Sequence, residues 1–393
     1  MNNQTWMSQK FFIFFMTWGI FLPYWTGWLV DAKGLSVAEA SLIMSFSLVA
    51  RGVSTLFAFP LAAKYWSNKK VLFLIALGGL VTALFYIPAS SFTALFTVTV
   101  LFSLFYPALM PALDSTAGVL VQQGGLHYGK SRSYGSFGFI VSVLIISIIT
   151  GFFGDAAIFW TMIVGLVVML MLTLIPAPAV LTQKPLNDQK KNAPSFRSLM
   201  KIKGFPLILL IVILLQGAHA SYYNYGYIYL QELDVSKFYI GLIINIGVLF
   251  EILYFAKADS LFGKWKPASL LILSAVGSTL RWLLVFLFPN IWVFILSQSL
   301  HALSFGVAHY AFILYITQNL PKEQIPNAQG IYSALALSWG TAILTLFGGY
   351  LYEIESRYAF LGMVVFTIPA LLLTLRLKAR SYKKLTGTSE LHY

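Results

Sequence analysis

Pro111-Ala-Leu-Asp114 and Tyr128-Gly-Lys-Ser-Arg-Ser-Tyr-Gly135 carry an acid and a base, Asp114 and Arg132, eighteen residues apart in a chain that is 59% hydrophobic and only 10% charged. An ionisable group in hydrocarbon is expensive, so it survives where it faces an interior cavity and finds a partner. Asp114 and Arg132 therefore mark a polar interior, as contacts for a solute or as a latch at one end of its pathway. Arg51, Glu251 and Arg281 join them, with His219, His301 and His309. Desolvation raises the pKa of a carboxylate and a nearby cation lowers it, so an acid and an arginine together can be poised to load and release a proton. Glu251 with Arg281 is the preferred coupling pair, because Glu251 is the only acid buried in the second half; a structural ion pair between two helices is the alternative. His219 and His309 read first as satisfied interior residues, and His301 equally as a proton carrier. Arg51 falls at the centre of an apolar segment. A cation there needs a substrate anion or backbone carbonyls to compensate it.

The elements that must position these groups are apolar runs near 20 residues long, each enough to cross about 30 Å of hydrocarbon as a helix. They fall at 9–30, 38–63, 70–89, 92–118, 132–154, 156–177, 205–231, 238–257, 267–288, 290–317, 325–352 and 357–377. Continuous runs favour helices over a barrel, whose strands alternate in polarity. The predicted fold is an all-α integral membrane protein with twelve transmembrane helices. The first run lacks a small-residue cleavage site and leads into another span, so it is expected to be a retained anchor. Of the 10 Trp, 21 Tyr and 33 Phe, most should fill helix interfaces and interfacial belts. Tyr24, Trp25, Phe139, Tyr222 and Tyr223 lie at depths suited to a cavity. Gly19, Gly217 and Gly247 suit close helix contact.

Charge in the loops orients the spans. With the N-terminus inside, the cytoplasmic segments collect all 26 basic residues except Lys33, Lys237, Arg357 and the intramembrane Arg51 and Arg281. Outer loops hold acids such as Asp31, Asp155, Glu232 and Glu353. The net charge of +13 thus reflects topology and an anionic inner leaflet, not nucleic-acid binding. Absence of cysteine excludes disulfides and thiolate chemistry. Enzyme signatures such as H-E-x-x-H, a Gly-x-Ser-x-Gly elbow or a Walker loop do not occur, and neither does a filter-like channel motif.

The polar stretch from Pro178 to Gly204 divides the spans six and six. This gives an N-terminal bundle at 1–178, a cytoplasmic linker at 179–204 and a C-terminal bundle at 205–393 with a short tail. Two six-helix bundles joined this way suggest a major facilitator fold, with substrate near the midplane. The loops Ala63 to Lys70 and Asp259 to Lys266 are degenerate versions of that superfamily's acidic-glycine-basic loop.

Tyr128-Gly-Lys-Ser-Arg-Ser-Tyr-Gly135, with its spacing to Asp114, resembles the helix 5 entrance of lactose permease and its sugar-contacting pair. Gly19-Ile-Phe-Leu-Pro-Tyr-Trp25, Leu215-Gln-Gly-Ala-His-Ala-Ser-Tyr-Tyr223, Gly247-Val-Leu-Phe-Glu251, Leu280-Arg-Trp282 and Ile331-Tyr-Ser-Ala334 resemble the bacterial 3-phenylpropionic acid transporter family over almost the whole chain. Against lactose permease, Phe139 stands for the sugar-stacking tryptophan. His301 is followed by Ser304 where the permease has its proton-accepting glutamate, Asn224 replaces an acid, and helix 11 has no lysine. Both partners of a buried ion pair are thus lost together, which is cheap. Arg281 matches the permease's helix 9 arginine.

The resemblance implies a secondary active transporter of the bacterial inner membrane, a monomer whose partners are a small molecule and the bilayer, with a proton as coupling ion and no cofactor or metal. The expected activity is proton-coupled uptake of a small organic acid, such as the aromatic carboxylate 3-phenylpropionate, by alternating access. The alternatives are a proton-coupled nucleoside or sugar symporter and a drug/proton efflux antiporter. The residues expected to couple the proton are Glu251, Arg281 and His301. Those expected to contact substrate are Arg51, Asp114, Arg132, Phe139, His219, Tyr223 and Tyr24.

Both termini are predicted to be cytoplasmic. A cysteine introduced at Lys190, in a chain that has none of its own, should resist a membrane-impermeant maleimide applied from outside; labelling of intact cells would invert the topology.

Overall fold

The structure is a computed structural model that describes residues 2–183, 196–321 and 324–385. The basic run of the linker, including Lys190, and Lys322 and the last eight residues lie outside the described residues, as do the side chains of Asp259 and 380–385. Every regular element among the described residues is helical. The membrane-length helices are α1 (Asn3–Ala32), α2 (Val37–Tyr65), α3 (Asn68–Leu84), α4 (Phe92–Gln122), α5 (Tyr128–Phe153), α6 (Ala156–Leu174), α7 (Phe205–Glu232), α8 (Lys237–Phe262), α9 (Pro267–Leu287), α10 (Ile291–Asn319), α11 (Ile325–Ile354) and α12 (Tyr358–Leu385). Eleven of them are long and apolar enough to span a membrane. The remaining one, α3, is 17 residues long and is extended by tight turns at Phe85, Tyr86 and Ile87.

Capping explains where the helices start. The Asn2 side chain accepts from the Thr5 N–H, which begins α1 six residues before its apolar run. Ser36 and Glu39 form a reciprocal capping box at α2. Ser67, Ser91 and Asn290 cap α3, α4 and α10. Each supplies an acceptor to an N–H that has no intrahelical partner. Lys10 is buried inside α1, where its ammonium donates to the Trp6 carbonyl and sits 3.5 Å from the Trp6 ring centroid.

Burial differs between the helices. In α1 and α7, 78% and 72% of the apolar window is buried, against 33% in α5 and in α6. Phe152, Phe153 and Trp160 are exposed, as side chains facing acyl chains would be. Among the described residues, four π-helical turns interrupt the helices, at Trp28–Ala32, Ser54–Ala58, Ala302–Gly306 and Leu335–Gly340. Turns of this kind shift the register of a helix face and recur at functional sites. Between Gly217 and Ala220, α7 loosens into a turn that carries Ala218 and His219.

The chain forms two compact units, Met1–Asn192 with Tyr222–Asn245, and Ala193–Ser221 with Ile246–Tyr393. In the first, α1 packs along α5. Gly19 permits this contact: a Cβ there would lie 2.2 Å from Ser142 Oγ and 3.0 Å from the Phe139 carbonyl oxygen. In the second, an apolar core that includes Leu215, Ala275, Phe312 and Tyr332 joins α7, α9, α10 and α11.

Polar contacts attach Tyr222–Asn245 to the first unit. Tyr227 and Lys237 both donate to the Asp155 carboxylate, Tyr225 donates to Ser41 Oγ at 2.9 Å, and the Gly241 N–H donates to Ser147 Oγ at 2.6 Å. Asp155 is buried and Lys237 partly exposed. Removing one charge would therefore cost less than in a fully buried pair and more than in a surface one. Asp155→Ala and Lys237→Ala should each lower stability by on the order of 2 kcal/mol, and Asp155→Asn with Lys237→Gln should recover part of that loss. Thermal unfolding in detergent reads this out, and equal stability of all four proteins would remove the pair from the account.

Candidate functional site

In the second unit, α8, α9 and α10 and the turn within α7 bring together Glu251, Arg281, Gln298, His301, Ser304 and His219. Arg281 is wholly buried, its guanidinium 4.4 Å from the Trp282 ring centroid. It donates to His301 Nδ1 at 2.8 Å, to Ser304 Oγ at 3.2 Å and to Gln298 Oε1 at 3.3 Å. A guanidinium has only donors, so His301 Nδ1 must accept and the ring proton must sit on Nε2. That nitrogen faces Glu251 Oε2 at 3.2 Å. The two members of the predicted coupling pair are thus joined through His301, with carboxylate, imidazole and guanidinium in sequence. Gly247, one turn before Glu251, lets α8 approach: a Cβ there would lie 3.0 Å from Gln298 Oε1.

His219 belongs to the same network. Its Nδ1 lies 3.0 Å from the Leu215 carbonyl, which can only accept, and its Nε2 lies 3.0 Å from Ser304 Oγ. The ring is accordingly a neutral Nδ1–H tautomer that accepts from the serine hydroxyl. Ser304 serves as the hinge of the cluster, where lactose permease carries an acid. Farther along α10, His309 Nδ1 meets the Tyr332 hydroxyl at 3.1 Å, and Gln216 donates to that hydroxyl at 2.8 Å. The rings of His301, Phe305 and His309 stack at 5.6 and 6.4 Å.

The first unit assembles the other predicted groups. The Tyr128 hydroxyl donates to Asp114 Oδ1 at 3.0 Å. Arg132 acts electrostatically on both groups but makes no ion pair with Asp114 among the described residues. The Arg132 guanidinium rests 4.0 Å from the Phe15 ring centroid. Arg51 lies over Trp18, 5.0 Å from its ring centroid, and feels the phenol groups of Tyr106 and Tyr223. Phe139 is half-buried against Gly19. Tyr24 is fully buried, with its hydroxyl 3.2 Å from both the Val143 carbonyl and Ser147 Oγ and its ring 4.7 Å from that of Tyr227. These contacts place Tyr24 between α1 and α5. Asn224 accepts from Thr26 at 3.3 Å.

Sequence reasoning missed Gln298, Ser304, Tyr128 and Trp18 as participants. A signal existed for three of them. Gln298 and Ser304 stand three residues on either side of His301, hence on one helix face, and Tyr128 precedes Arg132 by one turn. Trp18 gave no signal, because its partner lies 33 positions away on another helix.

The chain matches the model of the MFS_1 like family over residues 4–362. It is 30% identical to the probable 3-phenylpropionic acid transporter of Escherichia coli K12, covering 95% of this chain and 97% of that protein. It is also 30% identical to the maltose permease of Geobacillus stearothermophilus, covering 94% and 93%. Among solved structures, the nucleoside transporter NupG superposes with a TM-score of 0.80 over 95% of this chain and 98% of its own, at 18% identity, which speaks for the fold alone. With its helical membrane architecture and its buried polar networks, this chain is a membrane transporter of the major facilitator type and belongs to the MFS_1 like family.

Proposed function

We propose that the protein takes up a small organic acid, an aromatic carboxylate such as 3-phenylpropionate, together with a proton, by alternating access between its two six-helix halves at 1–178 and 205–393. The bacterial inner membrane, cytoplasmic termini and a monomeric state complete this reading. The observation that carries it is the Glu251–His301–Arg281 chain. Ionised Glu251 accepts the Nε2 proton of His301 and so strengthens Nδ1 as an acceptor for Arg281. Protonated Glu251 is a poorer acceptor, so the imidazole loosens its hold on the guanidinium. Proton loading at the carboxylate is thereby felt at a buried cation. A second proton on His301 would turn Nδ1 into a donor facing another donor. Glu251 is therefore the group that loads, and His301 transmits.

Similarity at 30% identity to a probable 3-phenylpropionic acid transporter supports the acid substrate. The same 30% identity to a maltose permease favours a second reading, symport of a neutral sugar. Phe139, standing where the lactose permease pattern has its sugar-stacking tryptophan, weighs against the sugar. Drug/proton efflux would use the same proton site with the opposite vector, and uptake into right-side-out vesicles tells the two directions apart.

Glu251→Gln mimics the protonated carboxyl. It should abolish accumulation of 3-phenylpropionate against a gradient while preserving exchange of internal for external substrate. Unchanged accumulation would return Glu251 to a structural role.

The unmutated protein should also bind 3-phenylpropionate at least tenfold more tightly than its neutral amide, a difference of about 1.4 kcal/mol. Equal binding of the two, measured by calorimetry, would favour a nucleoside or sugar.

A further inference from the structure

Three arginines lie in the membrane-spanning helices near candidate site residues, and the structure treats them differently. Arg281 is committed to His301, Gln298 and Ser304. Arg132 lies over the Phe15 ring and has the Asp114 carboxylate acting on it from beyond ion-pair distance. Arg51 has no carboxylate within ion-pair distance among the described residues, and its contact is with the ring of Trp18. An aromatic face stabilises a cation but uses few of the five guanidinium N–H donors. An arginine in the middle of an apolar helix, with most of its donors still to place, carries a desolvation cost that an anion would offset.

The surroundings describe the shape of that anion. Trp18 is half-buried and sits in an aromatic wall, its ring 5.9 Å from those of Phe14 and Phe21 and 6.0 Å from that of Tyr106. The Tyr106 hydroxyl donates to Thr17 Oγ1 at 2.9 Å, so its proton is already placed. Tyr223 contributes a second phenol near the guanidinium. Three residues past Arg51, α2 changes to a π turn at Ser54–Ala58. The Ser54 hydroxyl anchors that turn on the Leu104 carbonyl at 2.5 Å.

We propose that Arg51 and Trp18 form the carboxylate subsite of this transporter, for an organic anion whose flat apolar body lies along the Trp18 wall. This rests on the anionic-substrate reading above and adds which cation takes the charge. Arg51 grips the carboxylate through paired N–H donors, a geometry that lysine cannot reproduce. Trp18 sets the preference for an aromatic over an aliphatic body.

The test is binding of benzoate, 3-phenylpropionate and propionate, each beside its amide, to the purified full-length protein and to its Arg51→Lys, Arg51→Gln and Trp18→Leu variants. Arg51→Lys should weaken both aromatic acids tenfold or more, and Arg51→Gln should remove the preference for acid over amide. Trp18→Leu should reduce the ratio of 3-phenylpropionate to propionate affinity at least fivefold while acids still outrank amides. If the unmutated protein binds none of the acids over its amide, the anionic substrate and this subsite fall together. If it prefers the acids and Arg51→Lys and Arg51→Gln keep that preference at full affinity, the subsite alone is wrong. Should Arg51→Gln fail to fold, the Arg51→Lys and Trp18→Leu arms still decide.

Discussion

The cost of placing charge in hydrocarbon governs this structure more than any single packing contact. Lipid cannot solvate an ion, so each buried ionisable group must be answered by protein. The answers differ along the chain. Lys10 turns back onto the carbonyl and ring of Trp6, one turn earlier in its own helix. Arg281 is met by an imidazole, an amide and a hydroxyl contributed by α10. Asp114 accepts from the Tyr128 phenol and feels the charge of Arg132. These are polar networks more than bare ion pairs, and the one around Arg281 ties α7, α8, α9 and α10 together. Breaking one contact alters the hydrogen-bonding state of its neighbours.

The fold was legible because hydrophobic length is a strong signal and loops carry turn and capping residues. Helix ends were less legible. The run at 9–30 begins six residues inside the true α1, because Asn2 caps the helix and Lys10 hides its charge within it. The run at 70–89 conversely ends beyond α3, where Phe85, Tyr86 and Ile87 turn tightly. The ionisable members of the site were legible for the same energetic reason that they are rare. Their partners were harder to see. Ser304 and Gln298 are ordinary residues in an apolar helix until Arg281 is placed against them, and Trp18 is one aromatic among many until Arg51 lies over it. Composition marks a charge, but only tertiary structure says what compensates it.

Ser304 shows how the site differs from the lactose permease pattern it resembles. Where that pattern has a carboxylate three residues after the histidine, this chain has a hydroxyl, and the nearby carboxylate is Glu251 on α8. A carboxylate at position 304 would meet Arg281 directly, in contact with Ser304's present neighbours His219 and His301. With a hydroxyl there, Arg281 can keep its bond to His301 Nδ1, and the acid is moved to the opposite nitrogen of the same ring. The separation matters for the proton coupling proposed above. An acid bonded straight to arginine would meet the cation directly, whereas Glu251 meets it through the imidazole. Moving the carboxylate across the ring keeps the arginine compensated by the imidazole while the acid bonds that ring from its other side.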